Sequence, residues 1–154
     1  MLRTSRFFPE DDDNDHVLPG PNVKANEFLN RRLTVEDAAE AHVAALNKAS
    51  EIGFGLYIVS AQPPFEPDEA EKLIEDAPAV VDRHFPDARE LYARAGWKLP
   101  DTIDRVYDPS LAKRELGFCC RTDFAAVLNA LRDGSPLPFA HDPAYVSPKL
   151  KVAG

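Results

Sequence analysis

An acidic run, Glu10 to Asp15, is the first stretch whose residue types could bind a ligand, because three alternating aspartates resemble the start of an EF-hand calcium loop. Two later positions do not fit that loop. His16 stands where the sharp turn needs glycine, and Asn22 stands where the bidentate glutamate belongs. We therefore predict a solvated loop and no metal site here. An acidic metal-binding module is kept as the weakest alternative function.

Cysteine and histidine add no catalytic or metal-binding pattern. Cys119 and Cys120 are adjacent, so they lack the paired spacing of a zinc site and are too few for a disulfide framework. They are predicted to be free thiols. None of the four histidines pairs with another histidine or a cysteine at ligand spacing: His16, His42, His84 and His141. We predict no catalytic residue from these types alone.

Length and charge limit the classes of function. At 154 residues the chain is long enough for one domain with its own core. A formal net charge of -8 argues against a nucleic-acid or anionic-membrane surface, which needs clustered Lys and Arg. No apolar run approaches the length of a membrane span, and no signal-peptide pattern follows Met1. The sequence therefore predicts a cytoplasmic protein that binds neither nucleic acid nor membrane.

The stretch from Arg31 to Leu46 carries the strongest local signals. Thr34 and Asp37 have the spacing of an N-terminal capping box, which predicts a helix that begins there. Small apolar residues then recur at steps of three and four, and they predict one buried face: Val35, Ala38, Ala39, His42, Ala45, Leu46 and Ala49. On this reading His42 is a hydrogen-bonded core residue.

Other segments give shorter elements. Strands are predicted at Leu2–Phe8, Leu56–Val59 and Arg105–Tyr107. Helices are predicted at 22–32, 67–76, 79–85, 88–94, 108–117 and 123–133, bounded by prolines, glycines and capping residues. Trp97 is predicted to anchor a loop against the core, although it could instead wall a substrate pocket. Residues 135–154 are Pro-rich and predict an extended tail.

Four sequence blocks occur in a fixed order: LRTSRFFP at 2–9, VEDAAEA at 35–41, GLYIVS at 55–60 and DPSLAKRELGF at 108–118. In that order they resemble four segments of the NAD-dependent epimerase/dehydratase family, the extended short-chain dehydrogenases. Those segments read L-R-x-x-x-x-Y-G-P, V-x-D-x-A-x-A, G-x-Y-N-V and D-x-S-K-A-x-x-E-L-G-W. All four belong to the C-terminal half of the family. The resemblance covers residues 2 to 133.

The resemblance implies an α/β fold, a partial Rossmann-like structure with a few short parallel strands and several helices. It implies that Thr4 and Ser5 lie near the nicotinamide end of NAD or NADP and that Arg6 faces the substrate. It also places Lys98 and Arg105 near the position where sugar-nucleotide members of the family hold the substrate pyrophosphate. Because the family's Arg-x-Gly-Asp pattern is absent, a nucleotide-sugar substrate is not supported.

Two parts of the family's machinery are not found in the sequence. There is no glycine-rich turn to seat a pyrophosphate on a helix N-terminus. The spacing Tyr-x-x-x-Lys occurs once, at Tyr145–Lys149, but Pro148 would break the helical turn that must bring the two side chains together. The chain alone is therefore not expected to bind NAD(H) or NADP(H), or to catalyse hydride transfer.

These inferences combine into one reading with a rival. Residues 1–134 form the substrate-side portion of an epimerase/dehydratase-like oxidoreductase whose nucleotide-binding half is absent, and 135–154 form the tail. It would bind a small-molecule substrate and associate with a complementary nucleotide-binding half or with itself, through an exposed strand edge and the uncovered helix face. The rival is a non-enzymatic binding or assembly protein that retains the scaffold.

Overall fold

The computed structural model of the chain describes residues 1–7 and 18–139. These residues form a mixed α/β structure with six α-helices and one sheet of two short parallel strands. The strands are β1 (Leu2–Thr4) and β2 (Tyr57–Val59). The helices are α1 (Gly20–Glu27), α2 (Val35–Ile52), α3 (Ala70–His84), α4 (Ala88–Ala95), α5 (Ser110–Leu116) and α6 (Phe124–Asp133), with a 3-10 turn at Pro67–Glu69. The predicted α/β class is confirmed as a mixed α/β structure.

The sheet is shorter than the sequence predicts. Leu2 pairs with Tyr57 and Thr4 pairs with Val59. Among the described residues beyond Thr4, the predicted strand continues only as an isolated bridge between Arg6 and Arg32, and its last residue, Phe8, lies outside the described residues. The strand predicted at Arg105–Tyr107 is wrong, since those residues join no ladder and the Tyr107 N–H donates to the Asn30 carbonyl, 2.9 Å away.

Helix α2 begins as predicted, because the Thr34 hydroxyl accepts a hydrogen bond of 3.1 Å from the Asp37 N–H. The second half of the predicted capping box is not formed. The buried Asp37 carboxylate instead accepts hydrogen bonds from the N–H groups of Arg121 and Thr122, at 2.9 and 3.3 Å. This carboxylate holds the start of α2 against the segment that precedes α6.

The predicted buried face of α2 is only partly correct. Ala38 is buried and Ala45 is half-buried, but Val35, His42 and Leu46 are exposed. Relative to the prediction, α2 is rotated about its own axis, so that Asp37 and Ala41 face the interior. His42 is consequently a surface residue, and its Nδ1 lies 2.7 Å from the Ala38 carbonyl one turn back.

Two groups of buried residues make the core. The helical cluster joins α1, α3, α4, α6 and the 97–103 loop around large side chains, among them Phe28, Tyr92 and Phe124. The sheet cluster joins β1, β2, α2 and α5, and most of its members are smaller: Leu33, Ala38, Ala41, Tyr57, Val59, Ala112, Leu116 and Phe118. Cys120 packs against both clusters. The sheet region is therefore attached to a larger helical body.

Helix α3 contains the break that Pro78 predicts. Asp76 has non-helical backbone angles, and its carboxylate accepts a hydrogen bond of 3.0 Å from the Ala79 N–H, so it caps the second half of the helix. Trp97 is half-buried against the helical cluster, with its ring 5.5 Å from that of Tyr92. Its predicted role as a core anchor is confirmed.

Part of the predicted tail is described. Residues 135–139 form no helix or strand, and Leu137 and Phe139 pack on the helical cluster. The acidic run, the Tyr145–Lys149 spacing, His16 and His141 lie outside the described residues. Among the helices of residues 18–139, none is long and apolar enough to cross a membrane.

Candidate functional site

The carboxyl end of β1 places two of the predicted cofactor-binding residues. Thr4 pairs with Val59 and is half-buried. Ser5 is 5% exposed, and its N–H donates to the Val59 carbonyl, 2.8 Å away. The Ser5 hydroxyl is buried without a hydrogen-bond partner. Such an orphaned hydroxyl is uncommon in folded proteins and leaves one polar atom at this edge that a ligand could satisfy.

Next to that edge, the buried carboxylate of Glu27 collects three arginines. It lies 2.6 Å from the Arg32 guanidinium and 3.4 Å from those of Arg6 and Arg31. Arg32 is as deeply buried as Glu27, whereas Arg6 and Arg31 are more than two-fifths exposed. Glu27 therefore holds two partly exposed guanidinium groups, of Arg6 and Arg31, next to this end of β1.

Asparagines on and just after α1 hold the loop that carries the other two predicted substrate residues. The amide side chain of buried Asn22 exchanges two hydrogen bonds of 2.9 Å with the Lys98 backbone, and Asn26 donates to the same carbonyl at 3.0 Å. Asn30 donates to the Arg105 carbonyl at 3.0 Å. Residues 98–105 are thereby fastened along α1, while the side chains of Lys98 and Arg105 remain exposed.

A cavity of about 210 Å³ lies between α1 and this loop. Its walls include Asn26, Glu27, Asn30 and Arg31 from one side and Thr102 and Asp104 from the other. The Asn26 side-chain oxygen has no hydrogen-bond partner. This cavity, its wall residues and the neighbouring Arg6, Lys98 and Arg105 are here named the α1 groove.

None of the five predicted residues lines the cavity itself. Arg6 pairs with its wall residue Glu27, and Lys98 and Arg105 lie at the two ends of the loop that forms the opposite wall. Thr4 and Ser5 are on the adjacent strand and do not line it. Sequence reasoning missed Glu27 and Asn22, because a short helix without apolar periodicity gives no burial signal. The spacing of Asn22, Asn26 and Asn30 by four was the available sign of one polar helix face.

A second cavity, of about 160 Å³, lies beyond the end of β2. It is lined by Ser60, Gln62, Pro109, Lys113, Phe118 and the two cysteines. Both thiols are free, as predicted. Cys119 is exposed, whereas Cys120 donates a hydrogen bond to the Ser60 carbonyl, 3.1 Å away. Burial, together with the charge of Asp37 and the neighbouring Cys119, raises the pKa of Cys120 to about 12. Cys120 is therefore an inert, structural thiol.

The described residues contain no group of three or more His, Cys, Asp or Glu placed to hold a metal ion. They fit a dinucleotide only in part. The Ser5 hydroxyl could bond to one polar group of a cofactor. The glycines with positive φ, at 53, 96, 117 and 134, each end a helix, so they do not form a turn that leads into one. No pyrophosphate cradle is found among the residues that are described.

Comparisons with known proteins add no family. No protein-family model matches the chain, and no curated protein or solved structure is significantly similar to it.

Proposed function

We propose that this chain is the substrate-side portion of an NAD(P)-dependent epimerase/dehydratase-like oxidoreductase and that it does not catalyse alone. The observation that supports the proposal is the α1 groove, whose wall residue Glu27 pairs with Arg6 just past the carboxyl end of β1 and whose loop has Lys98 and Arg105 at its ends. Ligands of open α/β proteins bind outside the carboxyl ends of the strands. The β1–α2–β2 unit then corresponds to part of a Rossmann-like sheet, a finer assignment that rests on the four resembling blocks.

The chemistry of the groove favours a small anionic substrate. Arg31 lines it together with the carboxylates of Glu27 and Asp104, and Arg6 is paired with Glu27. Exposed Arg105 and Lys98 flank the loop, and the Lys98 amine is paired with Asp101 at 3.0 Å. Guanidinium groups bind carboxylates and phosphates through paired, charge-assisted hydrogen bonds. The partner-free Asn26 oxygen adds one acceptor for a hydroxyl or amide of the same ligand.

Under this proposal NAD or NADP is held mainly by a complementary nucleotide-binding half, which also completes the sheet. Met1 O and Ser5 N–H bond to β2, so the backbone groups of the intervening Leu2 and Thr4 point to the opposite side of β1. Among residues 1–7 and 18–139 no other strand pairs with that side. An unpaired edge of this kind accepts another strand.

Ligand binding tests the groove directly. Inorganic pyrophosphate and citrate serve as probes in isothermal titration, with Arg31→Gln compared against Arg94→Gln, which removes the same charge from exposed α4. We expect saturable binding that Arg31→Gln weakens about 10-fold or more and Arg94→Gln leaves unchanged. Equal weakening in both variants would show attraction by general charge and would contradict the proposal.

The cofactor part has a separate test. Fluorescence titration with NADH is expected to show no saturable micromolar site on this chain alone. Hydrogen exchange is expected to be fast at the Leu2 and Thr4 amides and to become slow when a nucleotide-binding half is added. Slow exchange in the isolated chain would contradict the open strand edge. Tight NADH binding would contradict the proposal that the cofactor is held mainly by a separate nucleotide-binding half.

A non-enzymatic binding or assembly protein remains the second proposal, since one observation favours it. The outward face of α2, which the sequence predicts to be buried, is exposed and apolar. The titration of the α1 groove distinguishes the two proposals. An assembly protein needs no saturable anion site there, so Arg31→Gln would leave its binding of a partner chain unchanged.

A further inference from the structure

The outward face of α2 exposes an unusual amount of apolar surface. Val35, Val43 and Leu46 are 50, 57 and 75% exposed, and Phe54, just beyond the helix, is 81% exposed. At 100° per residue, Val35, Ala39, Val43, Leu46 and Ala49 fall within one sector of about 120°. This sector and Phe54 are named the α2 face.

The α2 face contains no Asp, Glu, Lys or Arg, and its sector also includes the exposed polar residues His42 and Ser50. The five charged residues of the helix lie on the other sides: Glu36, Asp37, Glu40, Lys48 and Glu51. The face therefore lacks the charged groups that would select a partner of opposite charge. Two copies of it can meet without like-charge repulsion, although each chain is acidic overall.

The size of the face approaches what a stable dimer buries. The four large side chains already named expose roughly 500 Å² per copy, so a pair would bury about 1,000 Å² in all, the lower limit expected of a specific interface.

We propose that the α2 face binds a second copy of this chain, as a two-fold antiparallel pair of α2 helices. Centred between His42 and Val43, this pairing sets the large Leu46 against the small Ala39 of the second copy on both sides of the axis, so the face is self-complementary. The antiparallel arrangement also opposes the two helix dipoles. The proposal is independent of the α1 groove, and either can fail without the other.

Sedimentation of the full chain over 1–200 µM tests the pairing. We expect a dimer that Leu46→Glu converts to a monomer, with the dissociation constant raised roughly 100-fold or more, because a buried unpaired carboxylate is strongly disfavoured. Ile74→Glu is the matched control, since Ile74 is a similarly exposed apolar residue on α3. It is expected to leave the dimer intact.

Disulfide trapping in a Cys119→Ser background tests the orientation. Val43→Cys is expected to cross-link with itself, whereas Val35→Cys is not, because the two copies of residue 35 lie about 22 Å apart along an antiparallel pair. A mixture of Val35→Cys and Ser50→Cys is expected to link. A monomer at every concentration, a dimer insensitive to Leu46→Glu, or self-linking of Val35→Cys would each overturn the proposal.

Discussion

The helical cluster and the sheet cluster bury their apolar residues to different extents. The helical cluster has seventeen buried members, including Phe28, Tyr92 and Phe124, and its rings pack edge to face. The sheet cluster has eight, three of them alanines, and the outer side of its main helix is apolar and exposed. Because burial of apolar area supplies most of the stability of a fold, we expect the helical region to contribute more of the stability than the sheet region. The exposed apolar surface of α2 belongs to the less well-packed region.

The largest expected effect tests whether stability resides mainly in the helical cluster. Phe124 is buried between Phe85 and Tyr92, with ring centroids 5.2 and 6.1 Å away. Phe124→Ala should cost about 3–5 kcal/mol of unfolding free energy, whereas Phe118→Ala in the sheet cluster should cost about 2–3 kcal/mol. Urea unfolding followed by circular dichroism measures both. A larger loss for Phe118→Ala would invert the comparison.

The junction between the two regions gives the next effect. Asp37→Ala should cost roughly 2–3 kcal/mol, because two backbone N–H groups, of Arg121 and Thr122, lose their acceptor. Glu36→Ala, on the exposed side of the same turn, should change the unfolding free energy by less than about 0.5 kcal/mol. Similar values for the two variants would show that the Asp37 carboxylate does not join the regions.

Burial raises the pKa of the Glu69 carboxyl, but the Glu66 N–H, His84 and Arg83 outweigh burial and leave it below its ordinary value of 4.5. A lowered folded-state pKa stabilises the protein above the unfolded-state value, and this stability is lost as pH falls through the folded-state value. Wild type should therefore exceed Glu69→Gln in unfolding free energy at pH 6, and the gap should narrow as pH falls below 4.5. A gap that stays constant down to pH 3 would exclude this linkage. Glu71→Gln, at an exposed site, is the control.

The smallest expected effect is a difference in chemical labelling between the two cysteines. It leaves stability unchanged and measures how often the contact between the helical and sheet clusters opens at Cys120. Since Cys120 has a pKa near 12, its thiolate fraction at pH 8 is about a thousandfold below that of a thiol at the ordinary value of 9. Iodoacetamide should therefore modify exposed Cys119 and spare Cys120 in the folded chain, and modify both in urea. Peptide mass spectrometry measures the ratio. Equal labelling of the folded chain would mean that the two regions separate readily.

Local structure could be predicted from the sequence where neighbouring residues determine it. The Thr34 cap, the break in α3 near Pro78 and the anchoring of Trp97 all follow from residues close in sequence. The rotation of α2 could not be predicted from the sequence, because it depends on hydrogen bonds that Asp37 accepts from the N–H groups of residues more than eighty positions away. An apolar stripe indicates that a face avoids water, but it does not show whether this chain or another one covers that face.

The candidate site, too, could be predicted from the sequence only in part. The family resemblance indicated Arg6, Lys98 and Arg105, and these residues neighbour the cavity beside α1 without lining it. Glu27, which draws three arginines together, sits in a helix with no apolar pattern and could be located only once the fold was known. The short strand predicted at Arg105–Tyr107 failed for a related reason: its backbone is held by Asn30, a contact that propensity alone does not reveal.

The Asp37 carboxylate also bears on how the chain is made. Its partners are 84 and 85 residues further along. At ordinary rates of synthesis the ribosome needs roughly 4–17 s to deliver them after Asp37 has been added. During that interval the hydrogen bonds that fix the rotation of α2 cannot form. Its apolar surface is then exposed to other molecules. Under the pairing proposed above, two nascent copies on one polysome expose this face to each other, so we expect α2 pairing to begin during translation.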